Sequence, residues 1–286
     1  MSNLREHREW DLIINPRTRW FEIGLADLWR YRDLLMLLVQ RDFKATYKQT
    51  ILGPVWLIIQ PILTSLTFTI IFGTIAGIST DGVPKILFYL AGITLWTYFA
   101  DCLTKTSTTF TANANIFGKV YFPRLIIPLS ILVSNLIKLG VQFAIFISVW
   151  LYFMFSEQQL QPHWEVLWVL PVLIVIMAGL GLGAGIMISS LTTKYRDMTF
   201  LVGFGVQLLI YASSIVLPIS GMSARTQEIM LMNPIVPIIE AFKYIFLGKG
   251  YFSFASLGYS ALFMLLQLII AVVVFSRVEK SFMDTV

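Results

Sequence analysis

The sequence predicts an all-α integral membrane protein with six transmembrane helices. An N-terminal amphipathic interface helix precedes them, and an outer-side re-entrant helical hairpin separates helices five and six. Three observations lead there. Of the 286 residues, 57% are apolar and only 13% are charged, and mean hydropathy is +0.77; a soluble domain is nearer half apolar and a quarter charged. Six apolar runs reach the roughly 20 residues that cross a bilayer. Lysine and arginine fall mostly in alternate loops, as the charge rule for membrane topology requires.

Taken in chain order, residues 1–20 form a cytoplasmic segment. "MSNLREHREWDLIINPRTRW" has no apolar core of signal-peptide type. Residues 21–50 hold the interface helix. In "ADLWRYRDLLMLLVQRDFKATYK", Leu28, Tyr31, Leu35 and Leu38 follow helical spacing, with Arg30, Asp33, Gln40 and Arg41 elsewhere on the wheel and Asp27 placed to cap the start. Such a helix either lies in the inner headgroup layer or packs on a partner. Its basic end, with Arg41, Lys44 and Lys48, suits anionic lipid.

Residues 51–286 form the six-helix domain, with spans near Ile51–Ile78, Ile86–Phe110, Leu125–Phe155, Val166–Leu191, Thr199–Ser220 and Phe254–Ser276. With the N-terminus inside, sixteen lysines and arginines lie on the inner side. Only Lys85, Arg225, Lys243 and Lys249 lie outside, and Lys138 falls within a span. Both termini are therefore expected in the cytoplasm. Between spans five and six, Leu217–Lys249 carries two short helical pieces near Met222–Met232 and Pro234–Leu247, broken at "NPIVP". Pro234 restricts Asn233 and suits a first helical turn. Each piece is too short to span, so a hairpin entering from the outer side at about 220–250 is expected, its irregular backbone buried in protein or lining a wet cavity.

Catalytic chemistry is sparse. There is no G-x-x-x-x-G-K-[ST], H-E-x-x-H or G-x-S-x-G. The single Cys102 and the distant His7 and His163 make no metal set. "GLGLGAGIM" places Gly179/Gly183 and Gly181/Gly185 at the spacing that lets helices approach closely. Of the ionisable groups in the spans, Asp101 stands roughly 8 Å above the inner surface and Lys138 roughly 20 Å. Asp101 is therefore expected to pair with Lys105, one turn away, rather than with Lys138. Asn135, Lys138 and Gln142 share one face of span three, which serves either a polar interior or interhelical hydrogen bonds.

Five stretches then resemble one family. They are "RDFKATYKQTILGPVWLIIQP" (41–61), "GITLWTYF" (92–99), "NANIFGKVYFPRLIIPLS" (113–130), "YRDM" (195–198) and "NPIVPIIEAFKYIFLGKG" (233–250). They are similar to the permease subunit of ABC-2 type polysaccharide exporters, most of all lipopolysaccharide and O-antigen exporters. Lys243 departs from the arginine that many relatives carry. The resemblance implies a subunit that is not itself an enzyme. It would work as two copies with two copies of a separate ATPase that binds ATP and Mg, in a bacterial inner membrane, with membrane lipids and a lipid-linked glycan as its other partners. Nucleic acid is not expected among them. Teichoic acid, capsule, drug or lipid export by the same fold are the alternatives. A membrane-embedded enzyme and a gated channel are readings from other classes.

The resemblance also implies roles for residues. "NIFGKVYFPR" (Asn115–Arg124) would be the cytoplasmic turn that seats in the ATPase. There Gly118 permits the turn, Phe117, Tyr121 and Phe122 act as anchors, and Lys119 and Arg124 meet acids or lipid phosphate. The other reading is an ordinary basic inner loop. Tyr195, Arg196 and Asp197 would make a second, smaller contact. Trp56, Tyr89, Trp96, Tyr98, Phe99 and Tyr211 would offer flat faces to sugar along the path, although an interfacial aromatic belt explains Trp56 and Tyr89 as well. Arg41, Lys44 and Lys48 would draw in the carrier's headgroup.

Overall fold

The computed structural model describes residues 25–48, 51–117, 122–157, 160–192, 195 and 197–285. All regular structure among them is helical. The N-terminal helix comes in two pieces, α1 (Leu25–Arg30) and α2 (Arg32–Tyr47). A 3₁₀ turn at Gly53–Val55 leads into α3 (Trp56–Phe68), which runs on as a π-helical stretch at Thr69–Ile75. Then come α4 (Lys85–Ser107), the short α5 (Thr109–Ala112) and α6 (Ala114–Phe117), and the long α7 (Ile126–Glu157). A 3₁₀ segment at Trp164–Val169 opens α8 (Leu170–Thr192). The chain finishes with α9 (Met198–Leu209), α10 (Ala224–Leu231), α11 (Val236–Leu247) and α12 (Phe254–Thr285).

Five of these elements are long and apolar enough to cross a membrane: Gly53–Ile75, Lys85–Ser107, Ile126–Ser156, Trp164–Thr192 and Phe254–Val278. They match five of the six expected spans. The expected span at Thr199–Ser220 is shorter than read. Its helix α9 has 12 residues, about 18 Å at the usual rise, against a hydrocarbon core of about 30 Å. Past Leu209 the backbone tightens into i→i−3 bonds from Tyr211, Ala212 and Ser213. It then leaves the helix at Ser214, whose φ is +58°. The cause lies across the fold: the Ser214 carbonyl is turned to accept a hydrogen bond from the buried Lys243 ammonium.

Glycines set the centre of the bundle. Along α8 they alternate between two faces. A Cβ on Gly181 or Gly185 would press on α4, 2.9 Å from the Cys102 Cβ and 2.6 Å from the Thr106 Cβ respectively. A Cβ on Gly179 would fall 2.3 Å from the Met264 sulfur of α12, and one on Gly183 would crowd Gln267. Each small-xxx-small pair thus brings in a different neighbour, and α8 becomes the shared wall between α4 and α12. Helix α4 is enclosed along most of its length, with Tyr89, Phe88, Leu95, Trp96, Tyr98 and Phe99 all buried.

The α10–α11 pair bends by 107° at its break. Ser223 caps α10 by accepting from the Thr226 N–H. Asn233 makes the corner, its side chain accepting from the Ile235 N–H and donating to the Ala212 carbonyl. Helix α11 is buried almost all round, Glu240 and Lys243 included. Phe242 and Phe246 pack on Phe143 and Phe146 of α7. The Trp150 indole donates to the Phe246 carbonyl at 2.7 Å. Gly248 closes the helix in a left-handed conformation, φ +69°, and a Cβ there would sit 2.3 Å from the Gln161 carbonyl oxygen.

At the opposite end a second core gathers Leu38 of α2, Phe110, Phe117, Phe122, Ile126 and Phe275. Leu28, Tyr31 and Leu35 pack against it. The apolar stripe read from the N-terminal helix therefore faces this protein core. Trp29, Met36 and Leu37 make a second apolar surface on that helix and are exposed.

Candidate functional site

The C-terminal half of α4 and the N-terminal half of α7 carry the polar chemistry. The Lys138 ammonium donates to the Asp101 carboxylate at 2.7 Å, and the Lys105 ammonium to the Asn135 amide oxygen at 2.9 Å. This corrects the expectation that Asp101 pairs with Lys105 and that Lys138 stands too high to reach it. The reason is the length of the helical column. Beyond Ser107, α5 and α6 extend it to Phe117 with only brief interruptions at Thr108 and Asn113. Asp101 is therefore many residues from the end of that column at Phe117 and level with Lys138. Asn135 is 2% exposed and directs its amide nitrogen to the Cys102 sulfur at 3.7 Å. Gln142, the third member of the face, is buried with neither end of its amide partnered.

Beside this network lies a cavity of about 450 Å³ between α2, the end of α4 and the first half of α7. Its charged lining is Arg41, Asp42, Lys105 and Lys138. Arg41 is already engaged, both by Nε (2.9 Å) and by Nη2 (2.8 Å), with Asp42. Of the three cations expected to meet a headgroup, Arg41 thus reaches a cavity, while Lys44 and Lys48 are exposed on α2 and just past its end.

The expected ATPase-contacting turn is partly described. Asn115 is exposed on α6. Phe117 and Phe122 point inward and stack on each other, with ring centroids 5.9 Å apart. Phe117 also meets Phe110, which stacks on Phe275 of α12 at 4.7 Å. The Arg124 guanidinium lies 5.4 Å from the Phe117 ring centroid. The two phenylalanines are therefore packed within this chain, Phe117 reaching α12 through Phe110, and are not presented as anchors to a partner. Gly118, Lys119, Tyr121 and Arg196 lie outside the described residues. Tyr195 and Asp197 are exposed where α9 begins.

The aromatic candidates divide sharply. Tyr89, Trp96, Tyr98 and Phe99 are each at most 5% exposed; Trp96 packs on Phe99, and Tyr89 on Phe68 and Phe88. Trp56 and Tyr211 are open, at 45% and 52% exposed, and Tyr211 meets Phe72 edge-on. A single chain thus encloses four of the six and displays two.

One buried ion pair was not singled out from sequence, although the i,i+3 spacing in "EAFK" signals it. Lys243 donates to the Glu240 carboxylate at 3.1 Å, and its ammonium lies 4.0 Å from the Phe88 ring centroid. The Ser214 hydroxyl and the Tyr251 N–H both donate to Glu240. This cluster ties α11 to the chain leaving α9.

Residues 33–247 match the ABC-2 type transporter family. The chain belongs to that family. The O-antigen export system permease protein RfbA of Klebsiella pneumoniae is 27% identical over 253 residues, covering 88% of this chain and 94% of that one. The protein of the same name from Myxococcus xanthus is 26% identical over 225 residues, covering 78% and 83%. The polysialic acid transport protein KpsM of Escherichia coli is 23% identical over 251 residues, covering 86% and 93%. This ABC-2 chain is thus a multi-pass membrane permease related to polysaccharide exporters.

Proposed function

We propose that this chain is the permease subunit of an ATP-driven exporter that moves a lipid-linked polysaccharide of O-antigen type across the bacterial inner membrane. One observation carries the reading: similarity to O-antigen export permeases extends over nearly the whole of both chains, 88% of this one and 94% of the relative. Two permease copies pair with two copies of a separate ATPase, which binds ATP and Mg. Both termini lie in the cytoplasm, α1–α2 rests at the inner interface, and α10–α11 is the re-entrant hairpin on the outer side.

In this arrangement Arg41, Lys44 and Lys48 draw the carrier headgroup to the inner surface. ATP binding closes the partner ATPases, and the turn at Asn115–Arg124 passes that motion to the bundle. The packing of Phe122 on Phe117, and of Phe117 through Phe110 on Phe275 of α12, supports this role, since it links both flanks of the turn to the bundle. Tyr195, Arg196 and Asp197 add the second contact. Trp56 and Tyr211, being exposed, are the aromatic faces best placed to meet sugar.

The test is reconstitution of the permease in liposomes with and without its ATPase partner. ATP-dependent appearance of glycan in the far compartment is expected only with both. Glycan moved by the permease alone, or ATP hydrolysed by it alone, would overturn the reading. The similarity to the polysialic acid protein favours a capsule-type polymer as the second reading, and supplying the two glycan classes in parallel decides between them.

A further inference from the structure

The cavity between α2, α4 and α7 has a charge pattern that its own residues do not complete. Arg41 is bonded to Asp42 and Lys138 to Asp101. Lys105 is exposed, and among the described residues it has the neutral Asn135 oxygen and no carboxylate within ion-pair distance. A cation at the inner edge of a span is normally held by a counter-charge or by water. Ser134 also lines the cavity, and its hydroxyl is buried without a partner. The lining is also apolar in part, with Ile127 and Ile131 in the same row of α7 as Ser134 and Lys138, and with Leu57 and Ile116 beside them. The volume of about 450 Å³ falls within the roughly 300–1,000 Å³ of small-molecule sites.

From these observations we infer that the cavity is a binding site for a phosphate monoester or diphosphate anion, with Lys105 as the principal ligand and Lys138, Arg41 and the Ser134 hydroxyl around it. An ammonium with free donors takes a phosphate oxygen in a charge-assisted hydrogen bond, and the serine hydroxyl gains the partner it lacks. The apolar part of the lining accommodates the first methylenes of a chain attached to that phosphate. The inference rests on the exporter reading and moves the anion's seat from the outer surface of α2, at Lys44 and Lys48, to a half-open cavity between three helices.

The same phosphate chemistry comes either from a lipid headgroup or from a free phosphate, and the experiment separates them. The permease–ATPase complex is placed in phosphatidylcholine nanodiscs doped with phosphatidic acid, and retained lipid is counted by native mass spectrometry. A parallel titration uses inorganic pyrophosphate. One tight class of bound anion is expected, weakened about tenfold by Lys105→Gln and kept by Lys105→Arg. Asn135→Asp, which supplies Lys105 with an internal counter-ion, should weaken it likewise, while Arg225→Gln at an exposed position of α10, away from the cavity, should not. Loss confined to phosphatidic acid assigns a lipid-borne phosphate; loss of pyrophosphate binding as well assigns a free one. Equal binding of both probes by wild type, Lys105→Gln and Asn135→Asp, or no binding by any, overturns the site. ATP-dependent glycan export, read on the same wild-type preparation, keeps the two failures apart. If export persists while the site fails, only the site falls; if export is absent, the exporter reading falls whatever the lipid binding shows.

Discussion

Lys243 shows how one buried charge shapes its surroundings. It is 1% exposed and Glu240 2%, so neither ion has water to fall back on. Each is held by the other and by neighbours: the Ser214 carbonyl, the Ser214 hydroxyl, the Tyr251 amide and the Phe88 ring. Removing one partner of such a pair leaves an uncompensated charge, which typically costs about 3–5 kcal/mol, whereas replacing both by apolar groups of similar size is often neutral. Lys243→Met alone is therefore expected to lower the thermal midpoint of the detergent-solubilised permease markedly. Adding Glu240→Leu should recover most of the loss. Equal midpoints for wild type and Lys243→Met would show that the pair holds nothing. The aromatic candidates carry a second lesson at this scale. Trp96 and Tyr98 are core residues, and truncating such side chains costs about 3–5 kcal/mol in folding, so their loss would abolish export without bearing on a sugar path. Trp56→Ala/Tyr211→Ala is the informative variant. It is expected to leave copurification with the ATPase unchanged and to lower glycan export several-fold, and unchanged export would remove both from the path.

Among the elements, α8 shows what periodicity and spacing make legible and what they leave open. The sequence spacing of its glycines predicts close helix approach, and the structure bears this out on two faces. Which neighbours come close was not legible, because GxxxG specifies small size and not a partner. The same limit applies to α9. Apolar content ran through Ser220, but the helix ends early because Ser214 answers to Lys243, a residue far along the chain. It applies again to Asp101 and Lys138, whose heights depend on α5 and α6 continuing the column to Phe117, past the Phe110 at which the apolar run was read to end. Local pattern was enough to place the helices; polar contacts between distant residues set their ends. The packing claim is testable within α8 and α7. Gly185→Val thrusts a branched side chain into Thr106 and the Leu103 carbonyl, and overpacking of this kind costs about 1–3 kcal/mol or more. Gly140→Ala on α7 meets nothing within 4 Å and gains helix propensity. The first should reduce the yield of folded, monodisperse permease and the second should leave it unchanged, both read by size-exclusion chromatography.

At the scale of the whole molecule, one property makes its orientation in the membrane measurable. Its single cysteine, Cys102, is fully buried, and thiols enclosed in apolar surroundings are inert. A cysteine introduced at an exposed position is then the only thiol a membrane-impermeant maleimide can reach. Asn115 and Ser79 are both exposed and sit at opposite ends of the column that begins at Lys85 and ends at Phe117. With the N-terminus inside, Asn115→Cys should label in inverted vesicles and resist label in right-side-out ones, and Ser79→Cys should do the reverse. The ATPase adds a second arm. If the Asn115–Arg124 turn seats in that partner, adding the purified ATPase to inverted vesicles should slow labelling of Asn115→Cys and leave a cysteine in place of the exposed Gln40 on α2 at its basal rate. Charge reversal of Arg124, which rests on the Phe117 ring, should relieve that protection. Labelling of Asn115→Cys from the outer face would invert the topology. Labelling from the inner face that the ATPase does not slow would keep the topology and remove this turn from the coupling contact.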